Sequence, residues 1–152
     1  MSVPIIGYAP GAYDMFHIGH LNILRQASQE CDHLVAGVVT DAVVLRAKGK
    51  KPVIPFEERL EIVRNIRCVA DAVPDRYLDK FRMWKQLRYD VLFKGDDWRG
   101  TSRARELESK LSAVGAEVRY FPYTMHTSST LLRRRLSLAT APVPGEVEPG
   151  PA

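Results

Sequence analysis

A short apolar run, Pro4-Ile5-Ile6-Gly7-Tyr8, gives way to a glycine-opened turn at Gly11-Ala12-Tyr13-Asp14. The run predicts a first strand, and the turn predicts the entry to a helix. Leu21, Leu24, Ala27 and Ser28 then share one face of a helix from Leu21 to Glu30, because a helix returns to the same side every three to four residues. Leu34 to Val39 is apolar without alternation, as expected of a strand covered on both faces of a parallel sheet. Pro55 opens a helix from Phe56 to about Ile66, with Glu57 and Glu58 in its first turn, where the helix dipole favours acids. Val69 to Val73 predicts a third strand ended by Pro74, Leu78 to Arg88 a helix, and Asp90 to Lys94 a fourth strand. A helix from Ser102 to Val114, a fifth strand from Glu117 to Phe121 and a last helix from Ser128 to Leu138 complete the pattern.

Strands alternating with helices predict an α/β architecture of three layers, a five-stranded parallel sheet between two helical layers. Ligands of such sheets bind at the carboxyl ends of the strands, where the strand order reverses. Three loops follow strands: Gly11 to His20, Gly95 to Gly100, and Tyr123 to Thr130. Right-handed crossovers bring all three to one edge of the sheet. The expected domain therefore spans residues 1–138. The tail 139–152, rich in Pro and Glu, has little to bury and cannot continue a helix. It reads as an interdomain linker, so a second catalytic domain is expected to follow residue 152 in a longer protein.

Composition narrows the function classes. With 152 residues, 45% hydrophobic and 26% charged, the chain is large enough for one core without disulfides or metals. No apolar run is long enough for a membrane span and no basic-then-apolar leader opens the chain, so a cytoplasmic protein without membrane partners is expected. Cys31 and Cys68 form no metal or redox spacing and read as reduced thiols. The net charge of +4 permits nucleic-acid binding. The basic residues are scattered, however, and lack the stripe interleaved with aromatics that an RNA-binding module requires. Only Lys48-Gly49-Lys50-Lys51 and Arg133-Arg134-Arg135 are clusters. The first is expected in a loop near the phosphate site, the second on a solvated helix face.

The candidate chemistry starts at His17 and His20, three positions apart and so on one face of a first helical turn. Free N–H groups at a helix start favour anions, and the small Gly19 between the imidazoles allows close approach. Together they suggest a phosphate site rather than an ordinary turn with two satisfied histidines. In Gly95-Asp96-Asp97-Trp98-Arg99-Gly100 an aspartate can accept ribose hydroxyls or position a metal, and the indole can line a base or acceptor pocket. A capping aspartate beside a buried tryptophan is the equally plain alternative. Thr127-Ser128-Ser129-Thr130 reads first as an N-cap, and its hydroxyls and free N–H groups also suit a terminal phosphate. Arg59 and Arg67, eight apart, have surface ion pairing as the commoner fate.

The pattern Gly11, Asp14, His17, Gly19 and His20 resembles the signature of the nucleotidylyltransferase superfamily. Lys48-Gly49, Pro55-Phe56-Glu57-Glu58-Arg59, Gly95-Asp96-Asp97-Trp98 and Ser128-Ser129-Thr130 resemble its glycerol-3-phosphate cytidylyltransferase branch. The resemblance covers roughly residues 3–137. It implies a Rossmann-like fold, a homodimer, and transfer of CMP from CTP with Mg²⁺ and release of pyrophosphate. It implies catalytic roles for His17, His20, Lys48 or Lys50, and Ser128. Gly11, Ala12, Tyr13, Arg67, Gly95, Asp97, Tyr123, Ser129 and Thr130 would join them around the nucleotide. Asp14, Lys48, Arg59, Trp98, Met125 and His126 would face the acceptor, with Asp14 and Arg59 orienting acceptor or metal. Mg²⁺ would be carried mainly by the triphosphate rather than by a protein cage. No general base is required, since an acceptor phosphate with a second pKa near ~6 is already a nucleophile.

Departures from that branch concentrate where base or acceptor is read. Ala12 stands where the branch has threonine. Arg67-Cys68-Val69-Ala70 replaces Arg-Tyr-Val-Asp, with an acid one step later at Asp71. Tyr123-Thr124-Met125-His126 replaces Arg-Thr-Glu-Gly, so Tyr123 takes the place of a nucleotide-contacting arginine. A tryptophan near the acceptor is replaced around Tyr77-Leu78. These changes favour a small hydroxyalkyl phosphate or phosphonate as acceptor, of the 2-hydroxyethylphosphonate or glycerol 3-phosphate type. Fosfomycin-pathway members of the family, which are fused to a second catalytic domain, provide the first type. An ATP-using adenylyltransferase and a non-catalytic nucleotide-binding module are the alternatives.

Overall fold

The computed structural model describes residues 2–122 and 128–140. Its elements are β1 (Ile6–Gly11), α1 (Ile18–Gln29), β2 (His33–Val39), α2 (Asp41–Lys48), α3 (Phe56–Arg64), β3 (Asp71–Asp75), α4 (Lys80–Leu87), β4 (Val91–Gly95), α5 (Ser102–Ser112), β5 (Glu117–Phe121) and α6 (Ser129–Thr140). A 3₁₀ turn, Asp96–Trp98, follows β4. The five strands form one sheet of order β3-β2-β1-β4-β5, parallel at every pairing. Chain order reverses between β1 and β4, which creates the crevice where such sheets bind ligands.

The pleat sorts side chains to two cores, since successive residues of a strand face opposite ways. Ala9, Leu34, Ala36, Val38, Val91 and Phe93 pack with Leu24 and Ala27 of α1 and Val63 of α3. Tyr8, Val35 and Leu92 pack on the other face with Met83 of α4 and Leu107 and Leu111 of α5. The unalternating run of β2 is therefore buried on both sides, as its composition predicts. Gly37 is required on the second face: a Cβ there would lie 2.0 Å from the Tyr8 hydroxyl oxygen.

Three expectations about elements are corrected. Lys48 belongs to the last turn of α2, not to a loop, and Gly49 closes that helix at φ 73°, the left-handed cap that glycine adopts freely. This short helix is hard to read because its apolar residues, including the buried Val43 and Val44, follow the apolar run of β2 after only Thr40 and Asp41. β3 continues through Pro74 to Asp75, with Pro74 opposite Val38. An edge strand tolerates proline because the missing N–H can face away from its single neighbour. Finally, α6 runs through Thr140, two residues into the segment read as a linker. No helix among the described residues is long and apolar enough to cross a membrane.

Candidate active site

His17 caps α1 in extended geometry, at φ −138°. Its Nδ1 accepts the Gly19 N–H at 3.1 Å, and Nδ1 of His20 accepts the His17 N–H at 3.2 Å. The two side chains thus satisfy two N–H groups that every helix start leaves open, the arrangement that Ser or Thr with Glu makes elsewhere. The exchange also sets the tautomer. A neutral imidazole that accepts at Nδ1 carries its proton on Nε2, so each ring retains one outward donor. The rings lie 4.0 Å apart. Burial pushes the pKa of His17 down, and burial with the adjacent His17 and Lys48 pushes that of His20 down to about 3. Both are neutral hydrogen-bond donors at pH 7 in the free protein.

The turn before them is held in unusual backbone geometry, with Tyr13 at φ 53° and Met15 at φ 47°, in the left-handed region that bulky residues rarely enter. Its braces are explicit. The buried Tyr13 donates its hydroxyl to the Ala9 carbonyl at 2.7 Å. Asp14, 3% exposed, accepts N–H groups of Val53 at 2.8 Å and Ile54 at 2.9 Å and pairs with Arg133 at 2.6 Å. Burial alone would raise the Asp14 pKa, but the Ile54 and Val53 N–H groups and Arg133 hold it below the usual carboxylate value. Ser129 donates to the Asp14 carbonyl at 2.6 Å. The start of α6 is thereby fastened to the start of α1.

A cavity of about 580 Å³ opens at the carboxyl ends of the strands. Its wall includes Gly11, Ala12, Tyr13, Asp14 and His20 from the β1–α1 connection, Lys48 from α2, Gly95, Asp97 and Trp98 after β4, and Ser129 and Thr130 from α6. His17 packs at a tilt against His20 just outside this wall. Ser128 does not line it: its hydroxyl accepts the Leu131 N–H at 3.0 Å and acts as the N-cap of α6. Lys50 is exposed and also absent from the wall, which leaves Lys48 as the lysine of that cluster facing the cavity.

Two expected contacts are corrected. Arg59 is fully buried and spends its guanidinium on the carbonyls of Ile54, Ala12 and Val39 and on Asp41 at 2.7 Å. It shapes the Ala12 turn from behind and cannot reach an acceptor. Asp14 serves as the hub described above and also lines the cavity. Arg67 is exposed just before β3, near the amino end of the sheet, where Ala70 N–H meets the Leu34 carbonyl. The cavity lies at the other end. Tyr123, Met125 and His126 fall outside the described residues.

Sequence reading missed four cations in the wall: Lys80, Lys94, Arg103 and Arg133. The solvated face expected of the Arg133-Arg134-Arg135 cluster holds only for the exposed Arg134 and Arg135. Lys80 pairs at 3.0 Å with Asp75, which is wholly buried and also accepts the Tyr8 hydroxyl and the Tyr77 N–H. Lys94 was legible as a cation closing an otherwise buried strand. It has no carboxylate within ion-pair distance among the described residues, and its ammonium lies 5.7 Å from the Trp98 ring centre. Desolvation, with Lys80 and Lys48 nearby, lowers its pKa to about 8. No group of three or more His, Cys, Asp or Glu side chains that could hold a metal ion occurs among the described residues.

Comparison with known proteins gives the family to which this geometry belongs. An FAD synthase of Pyrococcus abyssi is 34% identical over 109 residues, 71% of this chain and 72% of that protein. An ethanolamine-phosphate cytidylyltransferase of Arabidopsis thaliana is 35% identical over 62% of this chain, a match spanning only 23% of that longer protein. The crystal structure of a lipopolysaccharide core biosynthesis protein from Thermoplasma volcanium superposes with a TM-score of 0.68 at 25% identity, covering 82% of this chain and all of that one. The cytidylyltransferase-like family matches residues 8–135, and the chain belongs to that family of nucleotidyltransferases.

Proposed function

We propose that this protein transfers a nucleotidyl group, CMP from CTP, to the phosphate or phosphonate of a small acceptor and releases pyrophosphate. The observation that carries this reading is the convergence of the His17–His20 helix start, Lys48 and the start of α6 on one cavity. Both helix starts offer N–H groups to a polyanion, and the histidines add Nε2–H donors fixed by the capping exchange.

The chemistry needs no proton abstraction. An acceptor oxygen attacks the α-phosphorus, that P–O bond forms, and the bond from the α-phosphorus to the bridging oxygen breaks. The electron pair leaves on pyrophosphate. Charge accumulates on the α-phosphoryl and leaving oxygens, where fixed donors stabilise the transition state more than the ground state. His20 and Lys48 supply those contacts, and Ser129 and Thr130 face the outer phosphates. Mg²⁺ enters bound to the triphosphate as part of the substrate. The donor set fits that role, because Asp14 is engaged by Val53, Ile54 and Arg133 and Asp97 is the other carboxylate of the wall.

The base is the point at which relatives diverge. Their names imply a cytosine nucleotide in one case and an adenine dinucleotide in the other, which makes ATP the second reading. Pyrophosphate release with CTP and with ATP, across a panel of small phosphates and phosphonates, tests both. Turnover with CTP is expected. Turnover with ATP alone replaces the cytidylyl reading, and nucleotide binding with no pyrophosphate from any acceptor removes the enzymatic one.

A further inference from the structure

We propose that the acceptor carries a carboxylate in addition to its reacting phosphate or phosphonate, and that Lys94 binds this second anion on the α4–α5 side of the cavity. The inference rests on the nucleotidyl-transfer reading and adds the chemical class of its acceptor.

Strand alternation fixes which side Lys94 serves. Leu92 packs among Met83, Leu107 and Leu111, and Phe93 packs on the α1 face. Lys94 therefore projects to the side of Leu92, next to Trp98 and away from the helix start that carries His17 and His20. The phosphate donors of α1 and α6 and the Lys94 ammonium thus occupy different halves of one cavity.

Charge accounting leaves Lys94 without an ion pair among the described residues. Arg133 is matched by Asp14 at 2.6 Å, and Lys80 by the buried Asp75 at 3.0 Å. Asp97, exposed at the rim, and the buried Asp75 favour the charged form of Lys94 without an ion pair to it, and Arg103 is also exposed at the rim. Lys48 is assigned to the reacting phosphoryl group. A half-buried ammonium with no ion pair is costly in an empty site, and its lowered pKa reflects that cost. One residual positive charge matches one carboxylate better than a second phosphate with nearly two negative charges. Trp98, next to Lys94, and Leu78 in the same wall offer apolar surface suited to a small carbon link between the two anions.

Two probes of similar size separate the possibilities: phosphonoacetate, which has the carboxylate, and 2-hydroxyethylphosphonate, which has a neutral hydroxyl in its place. With saturating CTP, the full chain is expected to use phosphonoacetate about tenfold or more better in kcat/KM, the range of one charge-assisted contact. Lys94→Met should collapse that preference towards unity, and Lys94→Arg should restore most of it; thermal melts of both variants report folding. Equal or better use of the hydroxyl probe, or an equal loss with both probes in Lys94→Met, overturns the inference and leaves nucleotidyl transfer standing. If neither CTP nor ATP yields pyrophosphate with either probe, the transfer reading fails. Equilibrium binding of phosphonoacetate then decides the inference: Lys94→Met weakens it about tenfold if Lys94 holds the carboxylate, and an unchanged affinity overturns the assignment.

Discussion

The two halves of the cavity are built on opposite principles. On the α1–α6 side the groups that frame the site have partners within the protein: His17 with Gly19, His20 with His17, Asp14 with Val53, Ile54 and Arg133, Ser129 with Asp14. Its donors are preset, and little rearrangement is needed when a polyanion arrives. On the α4–α5 side Tyr8, Asp75 and Lys80 form a closed buried network, and Lys94 stands beside it without an ion partner among the described residues. On the proposed reading, the first half would set the reaction through backbone geometry, and the second would set the acceptor through one or two side chains, which substitution can change without disturbing the first.

The largest effect that tests this contrast is His20→Ala. Removing one preorganised transition-state donor is expected to lower kcat about 10²–10³-fold, with the acceptor KM changed far less. An equal rise in acceptor KM would mean that the two halves are not separable. The lost cap contact should cost about 1 kcal/mol of stability, so a denaturant titration of the same variant separates catalytic from folding loss.

Asp14→Ala attacks the same half through its frame. It strands Arg133, 30% exposed at its side chain, and two backbone N–H groups. Breaking a buried pair on one side costs about 3–5 kcal/mol, and the partial exposure of Arg133 reduces that to about 2–3 kcal/mol. Arg133→Met should cost less, because the two N–H groups keep their carboxylate. Gly37→Ala probes the other half. Its Cβ would meet the Tyr8 hydroxyl oxygen at 2.0 Å, so Tyr8 must leave Asp75 or the strands must part, an overpacking cost of about 1–3 kcal/mol. If these two substitutions lose stability in the reverse order, the α4–α5 network is the more rigid of the two.

How much of this was readable beforehand follows the same division. The five strands and the histidine pair come from local patterns: an unalternating apolar run at Leu34–Val39, helical spacing after His20, and a glycine turn before it; the place where strand order reverses does not. The partnerships did not, because they join residues far apart in sequence. Asp14 meets Arg133 across 119 positions, and Arg59 meets Ala12 across 47. Nothing local marks Arg59 as a buried brace or Arg133 as a cavity wall. Lys94 is the intermediate case. A lysine at the end of a buried strand is visible in sequence, but its lack of an ion pair among the described residues appears only once the nearby Lys80 is seen to be paired with Asp75.

The smallest effect is a pH dependence that reports each half separately. A basic group whose folded pKa lies below its unfolded value binds fewer protons when folded, so stability rises with pH between the two values. For His20 that window runs from about 3 to the ordinary 6.5, and stability should fall on acidification through it. At pH 5.5 the loss attributable to His20 is about 1 kcal/mol relative to neutral pH, and His20→Asn should flatten that limb. For Lys94 the window runs from about 8 to 10.5, so its contribution to stability should increase as pH rises. Tyr8, Tyr13 and Tyr89, whose pKa values burial raises, act in the opposite sense above pH 10. The diagnostic is therefore the difference between wild type and Lys94→Met from pH 8 to 10. An acid limb removed only by His20→Asn, with an alkaline difference removed only by Lys94→Met, is what two independent halves require. If either substitution altered both limbs, the two sides of the cavity would be one coupled unit.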